Sequence, residues 1–299
     1  MACSHQKNEQ MRVGKPKWLR RSLPTGPEYE KIRTLLKGSG LTTVCQEAQC
    51  PNQFECYSKG TATFMIMGDH CTRNCRFCAV AHGPKALPDE DEAERVADAV
   101  SLLGLRYAVI TSVTRDDLAD GGASCFVRVI EAIRKKNPKT LIEVLIPDLA
   151  GNWGALQTIL DARPDVLNHN IETVPRLYSV ARPGAEYRRS LELLREVRRR
   201  APQMVTKTGM MLGLGEETEE LYATWQDLRE SDCDILTMGQ YLQPTVDHLL
   251  VQRFVEPTEF DRLGDVALAK DFLAVASGPF VRSSYEAEKL FRKAELARK

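Results

Sequence analysis

Six of the nine cysteines fall between residues 45 and 78, and their spacing divides them into two sets. Cys71, Cys75 and Cys78 form a C-x3-C-x2-C run. Three thiolates held this close can wrap one corner of a cubane iron–sulfur cluster and leave the fourth iron without a protein ligand. An iron with an open position can bind and activate a small molecule, as an open zinc site does. Zinc is the alternative, but structural zinc takes four ligands, and only His70 or His82 could complete such a set locally. Phe77, just before the last cysteine, either shields a cluster or packs within the loop. The other set, Cys45, Cys50 and Cys56, is C-x4-C-x5-C, a moderate metal signal that would equally suit redox or structural cysteines. A disulfide framework belongs to short secreted chains. With 299 residues and no apolar run in Met1–Gln10, metal ligation in a soluble cytoplasmic or organellar protein is the better expectation. Cys3, Cys125 and Cys233 are scattered and read as spare thiols, the last two as core residues.

The elements that would position these residues follow from periodicity. Apolar runs at Thr61–Met67, Tyr107–Thr111, Leu141–Ile146, Asp165–Asn168, Val205–Met211 and Ile235–Met238 predict strands. Helical patterns near 89–103, 122–136, 152–162, 187–200, 217–231 and 257–270 separate or follow them. Repeated strand–helix units imply parallel strands with right-handed crossovers. Six units fall short of the eight that close a barrel, so the expectation is an α/β fold, an incomplete (βα)6 TIM-like barrel, with an open doubly wound sheet as the alternative. In such barrels chemistry gathers at the C-terminal ends of the strands. The residues just past the predicted strands are polar and distinctive: Gly68-Asp69-His70-Cys71, Ser112 to Asp117, Asn168 to Glu172, and Gly213 to Glu216. All would meet at one mouth. Gly213-Leu-Gly215 lacks the Lys-Ser/Thr of a phosphate-binding loop, and is read as letting backbone approach a cofactor.

Lys and Arg total 41 and balance 41 Asp and Glu, and 43% of residues are hydrophobic. That excludes a disordered chain and speaks against nucleic-acid binding through net charge. The longest apolar runs, such as Phe64–Met67, are far short of the roughly 20 residues of a membrane span. Residues 1–40 are basic and rich in Pro; Trp18, Leu19 and Leu23 beside Arg20 and Arg21 predict a segment lying on something.

The C-x3-C-x2-C run with an aromatic before its last cysteine, after the first strand of a βα array, resembles the signature of radical S-adenosylmethionine enzymes. The C-x4-C-x5-C set narrows the resemblance to the lipoyl synthase family. It is joined by Lys15-Pro-Lys-Trp-Leu-Arg20, Gly60 to Gly68, Ser112-Val-Thr-Arg-Asp-Asp117, Asn168-His-Asn-Ile-Glu-Thr173, Ala181-Arg-Pro-Gly184, Gln243-Pro244 with His248, and Arg282-Ser-Ser-Tyr285. The resemblance runs from about residue 15 to 290. Thr208 and Glu286 depart from its usual pattern, and neither is a cluster ligand.

The resemblance implies that Cys71, Cys75 and Cys78 hold a [4Fe-4S] cluster that cleaves S-adenosylmethionine. It implies that Cys45, Cys50 and Cys56 hold an auxiliary [4Fe-4S] cluster that supplies sulfur. The fourth ligand of that second cluster would be a serine, Ser284 in preference to Ser283. An alkoxide is a harder and weaker partner for a soft cluster iron than a thiolate, which suits a cluster that must come apart. Read without the resemblance, the two serines would cap a helix. Thr114, Arg115 and Asp116 would meet the amino group and ribose of S-adenosylmethionine, Asn170 and Glu172 its ribose hydroxyls, and Arg182 its carboxylate. Each has a loop salt bridge or loop contact as its plain alternative, and His169 reads as structural. Three segments are expected: 1–60 with the auxiliary-cluster cysteines, 61–275 as the partial barrel, and 276–299 carrying the serine ligand.

The implied activity is that of a sulfurtransferase acting on an octanoyl-lysine of a lipoyl-carrier domain. Carriers of this kind are the E2 subunits of 2-oxoacid dehydrogenases and the H protein of glycine cleavage. The implied helpers are an electron donor such as ferredoxin or flavodoxin and an iron–sulfur carrier that rebuilds the auxiliary cluster. Six arginines, Arg188, Arg189, Arg195, Arg198, Arg199 and Arg200, share one predicted helix. They read as a solvated face, with docking of an acidic carrier as the alternative.

Overall fold

The computed structural model describes residues 14–20, 42–43, 52, 55–56, 61–83 and 86–298. Cys45 and Cys50 lie outside them, as do Arg21, Leu23 and most of the first 60 residues.

Parallel strands buried on both faces require near-continuous apolar runs, and the chain supplies them. The strands are β1 (Thr42–Thr43), β2 (Thr61–Ile66), the short β3 (His70–Cys71) and β4 (Ala81–His82), β5 (Tyr107–Ser112), β6 (Leu141–Leu145), β7 (Val166–Asn168), β8 (Val205–Leu212), β9 (Ile235–Gln240) and β10 (Ala274–Ser277). Eight of them form one sheet in the order β1-β2-β5-β6-β7-β8-β9-β10. Every pairing from β2 to β10 is parallel, and β1 lies antiparallel on the β2 edge. Among the described residues no pairing joins β10 back to β1. The sheet is therefore an open, partial barrel.

The helices are α1 (Glu92–Leu102), α2 (Ala123–Lys136), α3 (Trp153–Asp161), the single turn α4 (Tyr178–Ala181), α5 (Tyr187–Arg200), α6 (Thr218–Arg229), α7 (Pro257–Leu268) and α8 (Ala287–Ala297). All six predicted βα units are present, each boundary within a few residues. Local caps set the starts: the Asn152 side chain accepts from Ala155 N at 3.0 Å before α3, and Glu217 and Glu220 form a capping box on α6.

The seventh parallel strand, β10, was not anticipated. It is four residues of small side chains, and it crosses residue 275, where the C-terminal segment was expected to begin. Helix α8 was anticipated only as the helix that the two serines might cap, and its role is specific. Alternate strand residues face opposite ways. Ala108, Ile110, Ile142 and Val144 pack outward in the cluster that includes α1, α2 and α3, whereas Tyr107, Val109, Val166, Val205 and Ile235 pack with Ala287, Leu290, Phe291 and Ala294 of α8. Helix α8 therefore plugs the N-terminal end of the hollow. Above it sits a buried polar layer: Lys207 Nζ pairs with both Glu143 carboxylate oxygens at 3.0 Å, Tyr107 Oη donates to Glu143 at 2.7 Å, and Asn168 Nδ2 donates to it at 2.8 Å. The opposite end of the barrel is left for chemistry.

The arginine-rich helix is mixed. Arg198 bonds Asp234, just before β9, together with the Pro202 and Asp232 carbonyls, and so braces the N-terminal end of that strand, on the far side of the barrel from the mouth. Arg200 pairs with Glu196 and Gln157, and Arg199 with Glu196. Arg188, Arg195 and Arg199 are exposed, as a solvated face requires. Of the basic arm, Leu19 is 1% exposed, so that segment does lie against the body.

Candidate active site at the strand C-termini

The loop that carries Cys71, Cys75 and Cys78 begins as β2 ends, and β3 pairs with β4 to close its base, Cys71 opposite His82. Cys71, Cys75 and Cys78 are all partly exposed and unbridged. Arg73 N and Thr114 N donate to Cys71 Sγ at 3.4 and 3.3 Å. The loop is tied down on every side. Arg76 N donates to Ala181 O at 2.9 Å, Leu249 N donates to Arg76 O at 3.0 Å, and His248 Nε2 donates to Cys78 O at 2.9 Å. Burial pushes the Cys75 thiol up, and pushes Cys78 up to about 12. Thiols so reluctant to ionise become thiolates when a metal replaces the proton.

Among the described residues no three His, Cys, Asp or Glu side chains converge to hold a single metal ion. A cubane needs no such convergence, because each thiolate takes a separate iron. Three cysteines on one braced loop, with N–H groups aimed at a sulfur, therefore fit a four-iron cluster. Zinc would need a tighter, four-ligand set.

Several expected site residues are already engaged. Arg115 is 2% exposed; its Nε and Nη2 pair with Asp117 at 2.8 Å, and its Nη1 has no partner. Asp116 takes a two-point ion pair from Arg73 at 2.7 and 2.9 Å. For these two the plain loop-salt-bridge alternative describes the geometry. Thr114 contributes backbone, donating to Cys71 and accepting from Thr72 at 2.9 Å.

Asn170 and Glu172 do meet at the mouth. Asn170 Nδ2 donates to Glu172 Oε1 at 3.0 Å and to Ser283 Oγ at 2.9 Å. Glu172 continues the β7 line past its end, bridging to Met210 with φ 64°. Burial raises its carboxyl, and Arg182 opposes that rise. Arg182 Nη1 donates to Asn170 O at 2.9 Å and Tyr178 Oη at 2.9 Å, with its guanidinium over the Tyr178 ring; its Nε has no partner. One edge of Arg182 is thus structural and the other remains open to an acceptor.

At Gly213, with φ 98°, a side chain would collide with Gln240 and the Arg253 carbonyl, which gives glycine a local reason there. His169 is structural, as read from the sequence. It lies beside the Ile146 carbonyl at 2.8 Å, so Nδ1 carries the proton, and Nε2 accepts from Ser190 Oγ at 3.0 Å. Tyr178 Oη joins Ser190 at 3.0 Å, so the chain of bonds runs on to Arg182. Burial, aided by Arg182, lowers the His169 pKa from 6.5 to about 4. The folded protein therefore binds fewer protons than the unfolded chain below pH 6.5. Stability should fall by about 3 kcal/mol as pH drops from 6.5 towards 4, and then level off. Urea titrations across that range check this; a His169→Gln variant should lack that step.

Of the first cysteine set only Cys56 is described, half-buried, with its N–H on Asn52 O at 2.9 Å. Its neighbours dock on the C-terminal segment: Asn52 Nδ2 donates to Phe280 O, and Tyr285 Oη donates to Glu55 Oε1 at 3.0 Å. Ser283 and Ser284 lie in the turn so held, and the N-cap of α8 is Glu286, so neither serine caps the helix.

Three contributors have contacts that the sequence reading did not assign. Arg73 is 7% exposed and joins Asp116 to the fully buried Asp148, which Arg189 also approaches at 3.4 Å. His248 fixes the cysteine loop, with Thr245 Oγ1 against its other nitrogen at 2.8 Å. Ser283 touches Asn170. Arg73 was visible inside the C-x3-C run, and Ser283 and His248 within motifs already noted, but none for these contacts; Asp148 gave no local signal.

The sequence matches the radical SAM superfamily over residues 65–228 and the N-terminal domain of lipoyl synthase over residues 2–50. It is 56% identical over 274 residues to a lipoyl synthase of Symbiobacterium thermophilum, covering 92% of this chain and 86% of that one. It is 53% identical over 281 residues to one of Alkaliphilus metalliredigens, covering 94% and 97%. Solved structures share the fold at low identity. A methylornithine synthase matches with TM-score 0.55 at 14% identity, over 89% of this chain and 80% of that one. A maturase of the [FeFe]-hydrogenase matches with TM-score 0.59 at 13%, over 89% and 70%.

Proposed function

The chain belongs to the lipoyl synthase family of radical S-adenosylmethionine enzymes, and on that premise we propose how its residues divide the work. The enzyme is a sulfurtransferase that inserts two sulfur atoms, at C6 and C8 of a protein-bound octanoyl-lysine, to give lipoyl-lysine. It uses two [4Fe-4S] clusters and S-adenosylmethionine. When bound, these supply a 5′-deoxyadenosyl radical strong enough to break an unactivated C–H bond, and the sulfur itself.

The residues then have distinct tasks. Cys71, Cys75 and Cys78 hold the first cluster, and the Arg73 and Thr114 N–H groups stabilise charge on Cys71. Asn170 and Glu172 receive the ribose hydroxyls of S-adenosylmethionine, and the open edge of Arg182 its carboxylate. Arg115 and Asp116 act through Asp117 and Arg73, shaping the mouth; Thr114 places the loop. Cys45, Cys50, Cys56 and Ser284 hold the auxiliary cluster, brought over the mouth by the contacts of Asn52 and Glu55 with the C-terminal turn. Residues 1–60, 61–275 and 276–299 serve as auxiliary-cluster segment, barrel and serine-bearing tail.

The observation that carries this reading is convergence. The braced cysteine loop, the Asn170–Glu172 pair and the serine turn occupy the same end of one partial barrel.

An octanoylated carrier protein is the substrate; E2 subunits and the glycine cleavage H protein suit it. A low-potential donor such as ferredoxin or flavodoxin and an iron–sulfur carrier are the helpers the chemistry demands. No described helix is long and apolar enough to cross a membrane, and we place the enzyme in the cytoplasm, acting without nucleic acid.

Anaerobic analysis tests the reading: about eight irons per chain, S-adenosylmethionine cleaved on reduction, and label from cluster sulfide recovered in the product. Zinc in place of iron, or product without label, would refute it.

A further inference from the structure

The turn Arg282-Ser283-Ser284-Tyr285 carries two adjacent serines, and the structure treats them differently. We propose that they divide between the two cofactor sites. Ser283 is a positioning residue that ties the turn to Asn170 and Glu172 on the S-adenosylmethionine side, which leaves Ser284 to the auxiliary cluster. This rests on the roles given above to Asn170, Glu172 and Ser284.

The amide of Asn170 has two N–H donors. One contact reaches Glu172 Oε1 at 3.0 Å and the other reaches Ser283 Oγ at 2.9 Å, across 113 residues of sequence. The Asn170 carbonyl oxygen also lies 3.2 Å from the same hydroxyl. A serine hydroxyl both donates and accepts, so Ser283 can answer either end of the amide, while the Glu172 carboxylate, which only accepts, turns the Nδ2 side towards itself. Room for this pair comes from Gly209, where a Cβ would lie 2.8 Å from Asn170 Oδ1 and 3.1 Å from Ser283 Oγ.

On the other flank, Tyr285 Oη holds Glu55, and Phe280 O accepts from Asn52, both within the segment of the auxiliary cysteines. Ser284 thus stands between a neighbour anchored to the S-adenosylmethionine side and a neighbour anchored to the auxiliary side. Tyr285 N closes the turn on Arg282 O at 2.9 Å, so neither serine moves independently of the other. The turn therefore holds the two hydroxyls in a fixed relation, Ser283 on the Asn170–Glu172 pair and Ser284 between the two anchors.

The test uses full-length, anaerobically reconstituted enzyme carrying Ser283→Ala, Ser283→Thr or Ser284→Ala, and reads binding and cluster content rather than turnover. Ser283→Ala should weaken S-adenosylmethionine binding about five- to tenfold, the effect of one lost neutral hydrogen bond, while iron stays at about eight per chain. Ser283→Thr, which keeps the hydroxyl, should restore the affinity. Ser284→Ala should do the reverse, changing the Mössbauer signature of the auxiliary cluster and leaving that affinity intact. Unchanged affinity in Ser283→Ala, or loss of the auxiliary cluster in Ser283→Ala but not in Ser284→Ala, overturns the division. A wild-type enzyme that binds no S-adenosylmethionine overturns the functional reading instead, and the division with it.

Discussion

Replacing Arg73 with alanine should destabilise the enzyme by about 3–5 kcal/mol, the usual consequence of stripping one partner from a buried ion pair. Arg73 stands between Cys71 and Cys75, and its guanidinium bonds Asp116 at 2.7 and 2.9 Å and Asp148 at 2.6 Å. Asp148 is wholly buried. Without Arg73 it keeps only Arg189 at 3.4 Å and the Ala150 N–H at 3.1 Å. The pH dependence should identify the cause. Burial alone would push the Asp148 carboxyl up; the hydrogen bonds and charge of Arg73 overcome that and bring it from 3.8 to about 2. In the wild type this pair therefore adds stability above pH 3.8, and the contribution is lost as pH falls through about 2. In Arg73→Ala burial is opposed by little more than Arg189 and the Ala150 N–H, so Asp148 takes up a proton more readily and the deficit should shrink as pH falls from 7 towards 4 and below. Function should fail at neutral pH, because the loop that presents Cys71 and Cys75 loses its tie to the turns after β5 and β6. Deoxyadenosine formation should drop about 100-fold, the effect of misplacing a reacting group by about 1 Å. Arg73→Lys should recover part of the stability and little of the rate, since an ammonium cannot fork between two carboxylates. Denaturant melts at pH 7 and pH 4 with iron assays decide the matter; a deficit equal at both pH values would exclude Asp148 as the origin.

Arg73 also marks the limit of what the sequence discloses. The βα rhythm was legible because parallel strands buried on both faces demand apolar runs, and β2, β5 and β9 are buried at nearly every position. The cysteines were legible because their spacing is local. Arg115, Asp116 and Arg182 were legible as polar residues at strand ends, but not in what they touch. Asp116 meets Arg73 across 43 residues, whereas Arg115 turns to Asp117 two residues on and Arg182 to Tyr178 four residues back, and the sequence does not tell a charge aimed at a ligand from one aimed at a loop. Arg198 of α5 shows the same limit: its place in an arginine run suggested an outward-facing patch, whereas Asp234 takes it into the scaffold. β10 escaped because four small residues carry too weak a pattern, and the role of α8 because its apolar face seals a hollow that exists only once the strands have assembled.

The second large effect should come from one methyl group. Gly239 lies near the end of β9, opposite Met211 of β8, where the C-terminal turn crosses the mouth. Gly278 N donates to Met238 O at 3.1 Å and Gln240 N to Pro279 O at 3.3 Å, which fixes the turn's path. A Cβ on Gly239 would overlap the Val281 carbonyl, a backbone group that cannot rotate aside, so Gly239→Ala must displace residues 279–285. The strand itself should survive, because Leu236 and Met238 pack on its other face. The stability cost should be about 1–3 kcal/mol, while the serine turn and its contacts to Asn52 and Glu55 are lost. Lipoyl product should therefore fall about 100-fold or more, with S-adenosylmethionine still cleaved on reduction and the auxiliary iron depleted. Gly278→Ala is the matched control: it lies in the same turn, and its Cβ would only reach Val281 Cγ2 at an ordinary 3.4 Å. That variant should behave as wild type. Equal loss of cleavage and product in Gly239→Ala would mean that the barrel, not the turn, had been damaged. Full product yield would mean that the turn is not what presents the auxiliary cluster to the substrate.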